Sequence, residues 1–412
     1  MGSIHSPYPP PWRPNLIPAA DSHARSGTPN VLDPRAPVVT PGVPRPPVLK
    51  ALTSIRFFAA LHVALYHFVR PFSLWGVLAG AMMSGYTGVS FFFVLSGFVL
   101  TYAHAPEYER GRRDYKKFLV ARFARIYPVY LLAMLVALAL HLDSLWQKNH
   151  WIAYLADLVM LQSWNMRMVN FFHAGAWTLS CEEFFYLIFP LVLMPLLPKT
   201  RAAALGWTAG FFALALAAPL YCLVRYPIPA FYEEYHSATP INPGPVFLIS
   251  RLPVFAVPEF LAGIALGWLF LKFRPSQKAG AQMAYAGAAL FVAAMLFAKH
   301  LPYLLLHNGL LIPIYGLLLV GLSQPNWLTR MLSVSWLVLL GEASFSLYLF
   351  HQLLITATER FGVQMTFSQA VWRLALVIPF TVALHVYFER PARRAVLAWW
   401  ARRHPAEMKV VA

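Results

Sequence analysis

Charge is scarce in this chain. Asp, Glu, Lys and Arg make up 12% of its 412 residues, half the roughly 25% of an ordinary soluble domain. Cysteine is nearly absent, and 2 residues cannot build the framework of a disulfide-stapled secreted scaffold. Acidic residues number 16 against 33 Lys and Arg, for a formal net charge of +17. What is abundant is apolar surface, 59% of residues against roughly 45–50% in globular proteins. That excess excludes disorder for the bulk of the chain. A basic balance can signal nucleic acid, but in so apolar a chain positively charged inner loops explain it better, and no nucleic-acid partner is expected. The composition implies an all-α, polytopic membrane protein embedded in a lipid bilayer.

Residues 1–49 are a different material, holding 13 of the 34 prolines in runs such as PYPPPWRP. Such a segment buries too little surface to offset its ordering entropy, so it is expected to be a disordered, Pro-rich cytoplasmic tail with local polyproline II. It lacks the apolar stretch of a signal peptide. Ten apolar runs of near-spanning length follow, at about 52–70, 85–104, 127–142, 177–197, 203–223, 252–271, 280–298, 303–322, 334–356 and 368–388, each close to the ~20 residues that cross a bilayer. The shorter run 150–163 (HWIAYLADLVMLQS) reads as a re-entrant or interfacial helix. Ten spans place both termini in the cytoplasm, and 24 of the 33 Lys and Arg then lie inside against 8 outside, the bias the positive-inside rule demands. The expected division is a tail to residue 49, a transmembrane domain over 50–390 and a basic cytoplasmic tail over 391–412.

With so few charges, each ionisable residue within a span is a candidate site. The first span carries Arg56, His62 and His67. Arg56 and His67 are eleven residues apart, which returns them to within ~20° of one helical face, ~16 Å apart along the axis. His62 lies off that stripe and reads as interfacial. Glu182 and Glu183 open the fourth span in WTLSCEEFFY; adjacent residues point ~100° apart, so only one should face a site squarely. His351 ends FSLYLFH in the ninth span. Counted along each helix, His67, Glu182 and His351 fall within roughly 5–9 Å of the outer boundary, three costly residues at one depth. On the inner side, Arg122 and Arg125 share a helical face before IYPVY and suit a polyanion bound from the cytoplasm. Arg110, Arg112, Arg113, Lys116 and Lys117 read as ordinary membrane anchors. Gly88 and Gly97 suit close helix packing, Cys181 and Cys222 read as small core hydrophobes, and no His or Cys pair has metal-ligand spacing.

Taken in order, Arg56 and His67, GVSFFFVLSGF from Gly88, Arg122 and Arg125, WTLSCEEFFY from Trp177 and FSLYLFH to His351 resemble the acyltransferase-3 family, integral-membrane enzymes that acylate extracytoplasmic sugars and some small molecules. The resemblance covers about residues 50–390. It implies an acyl-CoA donor, acetyl-CoA being the commonest, no metal, and a place in the cell membrane, the bacterial inner membrane for most members. On this footing His67 is cast as the general base, or as the carrier of an acyl-histidine intermediate, with Glu182 orienting it or stabilising its imidazolium, His351 positioning the acceptor or donating to the oxyanion, and Arg56, Arg122 and Arg125 attracting the donor phosphates. Tyr186 and Ser346 match further motif positions and are expected to contact substrate. Tyr387, Phe388, Glu389, Arg390 and Pro391 resemble the closing signature. Ser90 departs from the usual Asp, and Thr178 from a Ser. The acceptor would be a polysaccharide or glycolipid hydroxyl, or a small molecule. The alternative is a multi-span transporter or flippase using the intramembrane charges as a substrate or proton path.

Overall fold

The computed structural model describes residues 47–69, 77–109, 111, 114–147, 150–193, 198–226, 244–363 and 367–404. Residues 1–46, nearly all of the expected Pro-rich tail, lie outside them. Among the described residues every regular element is helical, as expected where each backbone polar group must be satisfied without water.

Each of the ten apolar runs has its helix. They are α1 (Lys50–Val69), α3 (Thr87–Glu109) after the short α2 (Val77–Met83), α4 (Tyr115–Leu140), α7 (Trp177–Leu193), α8 (Arg201–Arg225), the pair α9 (Gly244–Arg251) and α10 (Pro253–Lys272), and α11 (Gln277–Leu296). There follow α12 (Tyr303–His307) with α13 (Ile312–Leu322), then α14 (Trp327–Leu332), α15 (Ser335–Glu342) with α16 (Ser344–Arg360), and α17 (Phe367–Leu384). Among the described residues eight helical stretches are long and apolar enough to cross a membrane, and α15 with α16, bent by 55°, makes a ninth if the pair is one span. The tenth run is represented by α7, whose 17 residues give it ~25 Å of length. Beyond α4, the short α5 (Leu142–Leu145) leads to α6 (His150–Leu158). At 9 residues α6 is too short to span, and the chain reverses at Met160, where φ is 56°.

The bundle is drawn together where side chains vanish. A Cβ at Gly97 of α3 would lie 2.1 Å from the Phe260 carbonyl oxygen, and one at Gly263 of α10 would lie 2.1 Å from that of Val94. The two backbones therefore touch directly, which identifies Gly97 as a packing residue. Gly341 does the same for α15 against α1, where a Cβ would meet Thr53 O at 2.0 Å. Beside the α3–α10 contact, Phe185 of α7 stacks on Phe260 at 4.5 Å and meets Phe93 edge-on at 5.2 Å. Gly97→Ala should cost about 1–3 kcal/mol by overpacking and lower the melting temperature of the purified protein. Gly206→Ala on α8, where nothing lies within 4 Å, should not lower it, since Ala is the better helix former.

The chain stays helical beyond residue 390. The helix of α17 continues through a π-turn, His385–Glu389, into α18 (Arg390–Arg403). Pro391 has no N–H to donate, and the Arg390 N–H bonds His385 O five residues back. The extra residue in this turn rotates everything after it by ~100° relative to an uninterrupted α-helix.

Candidate active site

Two polar centres share α1, one at each end. The first is a cavity of about 920 Å³ near the start of α1, walled by α1, α3, α4, α7, α16 and α18. Asp114 caps α4 by accepting the Lys117 N–H at 2.8 Å, and from that start Arg122 and Arg125 come round to the same face. Both line the cavity, as does Arg56. The three arginines expected to act together are thus brought together from two helices. No carboxylate lies within ion-pair distance of any of them among the described residues. The buried Nε of Arg122 has no hydrogen-bond partner there either. Guanidiniums gathered at close range repel one another unless an anion joins them, so this chamber is built to receive negative charge.

Glu182 and Tyr186, one turn apart on α7, face the same cavity. Glu182 accepts from Tyr186 OH at 3.1 Å and from Ser96 Oγ at 3.4 Å. This corrects the expected pairing with His67: both carboxylate oxygens are engaged on the arginine side of the bundle. Glu183 does not line the chamber, in keeping with the divergence of adjacent helical residues.

The second centre joins α1 to α16. His351 Nε2 lies 3.2 Å from His67 Nδ1, and the rings are 5.1 Å apart. Carbonyl acceptors assign the tautomers. His351 Nδ1 faces Leu347 O at 3.2 Å, so that nitrogen carries the proton and Nε2 accepts. His67 Nδ1, facing both His351 Nε2 and Val63 O at 2.9 Å, must then be the donor. In that tautomer the basic nitrogen of His67 is Nε2. His351 is fully buried, and in this tautomer its N–H faces Leu347 O while its Nε2 faces His67. The cavity wall ends close by: Tyr348, three residues before His351, lines it together with Thr178, and the two hydroxyls meet at 3.1 Å. Thr178 thus keeps the hydroxyl of the serine it replaces.

Ser346 is placed differently from expectation. Its fully buried hydroxyl donates to Glu389 at 2.9 Å, and His385 Nδ1 lies 2.9 Å from the same carboxylate. It fastens α16 to the π-turn and does not line the cavity, because its direction on α16 is turned from that of Tyr348. The Glu389 and Arg390 of the closing signature are therefore structural: Arg390 Nε bonds His385 Nε2 at 3.0 Å and its guanidinium pairs with Glu342.

Three polar residues escaped the sequence reading. Glu259, buried within α10, accepts from Ser90 Oγ at 2.6 Å; an acid inside the run 252–271 was the signal. Ser90, where the family usually has Asp, is thus the donor to an acid on a neighbouring helix. His173 precedes α7 and approaches Leu349 O of α16 at 3.1 Å through Nε2, while Gly175 N–H donates to its Nδ1. Burial pulls this imidazole down to about 4, so it is neutral at ordinary pH and ties the loop to the helix that carries His351. Arg393 of α18 lines the cavity; the amphipathic spacing of RPARRAVLAWWARR could have revealed it.

Comparison with known proteins agrees with this layout. The model of the acyltransferase-3 family, described as an acyltransferase domain, matches residues 49–390. Acyltransferase MdmB of Streptomyces mycarofaciens is 29% identical over 386 residues, covering 88% of this chain and 95% of its own. The peptidoglycan O-acetyltransferase OatA of Listeria monocytogenes is 26% identical over 375 residues, covering 84% of this chain and 56% of its own length. No solved structure matches. The match spans both centres and the helices that hold them, so the chain belongs to the acyltransferase-3 family and is a multi-pass membrane acyltransferase.

Proposed function

We propose that this protein carries an acyl group, acetyl in the simplest case, from cytoplasmic acyl-CoA to a hydroxyl of an extracytoplasmic carbohydrate, a polysaccharide or glycolipid sugar. The observation that carries the reading is the cavity whose arginines, Arg56, Arg122 and Arg125, have no carboxylate partners among the described residues, and whose walls include α1 and α16, the two helices that carry His67 and His351. A donor with several phosphates and a long, narrow acylated arm matches a cationic chamber with an apolar far end. The positive-inside bias supports a place for that chamber on the cytoplasmic face of a bacterial inner membrane. The name of OatA, a peptidoglycan O-acetyltransferase, supports a glycan hydroxyl as acceptor.

In this reading His67 Nε2 takes the proton of the acceptor hydroxyl as its oxygen bonds the thioester carbonyl carbon, and returns that proton to the departing sulfur. The products are an ester and the free thiol. His351 stabilises the imidazolium by accepting from His67 Nδ1, the part first expected of Glu182. Glu182, with Tyr186, works on the donor side, offsetting part of the arginine charge and keeping the chamber from closing on a stray anion. Mass spectrometry of envelope glycans from cells with and without the gene tests the proposal. Ester-linked acyl groups should disappear from one glycan class when the gene is deleted and return with a wild-type copy. Identical glycan profiles in the two strains would remove the carbohydrate acceptor.

A further inference from the structure

The donor chamber has a wall from beyond the family domain. The match ends at residue 390, yet Arg393, Leu397 and Trp400 of α18 all line the cavity. Spacings of four and three put these residues on one helical stripe, and the π-turn at His385–Glu389 sets the direction in which that stripe points. Arg393 is close enough to Arg122 and Arg125 for the charges to repel. The nearby carboxylates are engaged elsewhere: Glu389 by Ser346 and His385, Glu342 by Arg390. Seven residues on, the Trp400 indole stacks on His404 with 3.7 Å between ring centroids and 20° between planes, which holds a flat aromatic wall beside the cations.

We propose that α18 is the nucleotide-binding wall of the donor site, with Arg393 contacting the phosphates of CoA and Trp400 stacking on its purine. The inference rests on the acyl-CoA reading above and deepens it. Arg56, Arg122 and Arg125 attract the polyanion, while α18 distinguishes a full CoA from an acyl carrier that has the same pantetheine arm and no nucleotide. Leu397 fills the apolar interval between the two.

The test compares CoA with pantetheine as ligands of the full chain in detergent, before and after Arg393→Ala or Trp400→Ala. The wild type should prefer CoA, and each variant should lose about tenfold or more of that preference, with pantetheine affinity unchanged. A general folding defect would weaken both ligands together, so the ratio reads the wall itself. Should either alanine variant fail to accumulate, Arg393→Lys and Trp400→Phe serve instead, with a smaller loss of preference. An unaltered ratio in variants that still bind CoA overturns the role of α18 and leaves the donor reading standing. A wild type that binds neither ligand overturns both.

Discussion

Replacing His67 with glutamine lowers acyl transfer by about 10²–10⁴-fold, the contribution of a positioned general base, and leaves the protein folded in the membrane. His67 is half-buried, and glutamine matches its reach while lacking a basic nitrogen. The comparison with His351→Ala carries the detail. His351 holds His67 through a 3.2 Å bond and has its other nitrogen on Leu347 O, so its removal unpins the base without deleting it. A misplaced catalytic group costs ~10²-fold, and His351→Ala should therefore keep residual activity above that of His67→Gln. The measurement is release of free thiol from acyl-CoA in vesicles containing the acceptor. An active His67→Gln variant would sink the assignment. A dead His351→Ala beside an active His67→Gln would make His351 the sole base.

The double variant Arg122→Ala/Arg125→Ala has the next largest effect, on the donor. Each guanidinium offers charge-assisted hydrogen bonds worth ~1.5–3 kcal/mol, and losing both should raise the KM for acyl-CoA by roughly 10²-fold or more with kcat little altered. That split is the mark of an interaction made equally in ground and transition states. The wild-type KM should also rise with salt, since phosphate contacts at an open cavity mouth are screened. Lys116→Ala supplies the control: it lies on the same helix, is exposed and does not line the cavity, and its KM should match the wild type. A double variant with unchanged KM would mean that the arginines serve only to anchor α4 at the membrane surface.

Much of this molecule was legible before any coordinate. Apolar run length located the helices because a bilayer dictates how long a span must be, and scarcity of charge singled out the residues that mattered. Arg56, Arg122 and Arg125, which charge and depth had marked, line one cavity. Glu182 shows where that reasoning stopped. Its depth suggested His67 as partner, but depth is one coordinate of three. The direction of a side chain around its helix, set by packing against α3 and α4, turned Glu182 with Tyr186 towards the arginines. Ser346 and His351 lie on one helix, five residues apart; one fastens the π-turn and the other meets His67.

By itself, then, the sequence determined the class of protein, the span positions and the shortlist of ionisable residues, because hydrophobic length and the cost of charge in lipid act locally along the chain. Only the tertiary structure decided which residues meet. The close approach of α3 and α10 through Gly97 and Gly263 and the π-turn that aims α18 at the cavity are contacts between distant segments. At ~100° per residue, one residue of register moves a side chain from one partner to another.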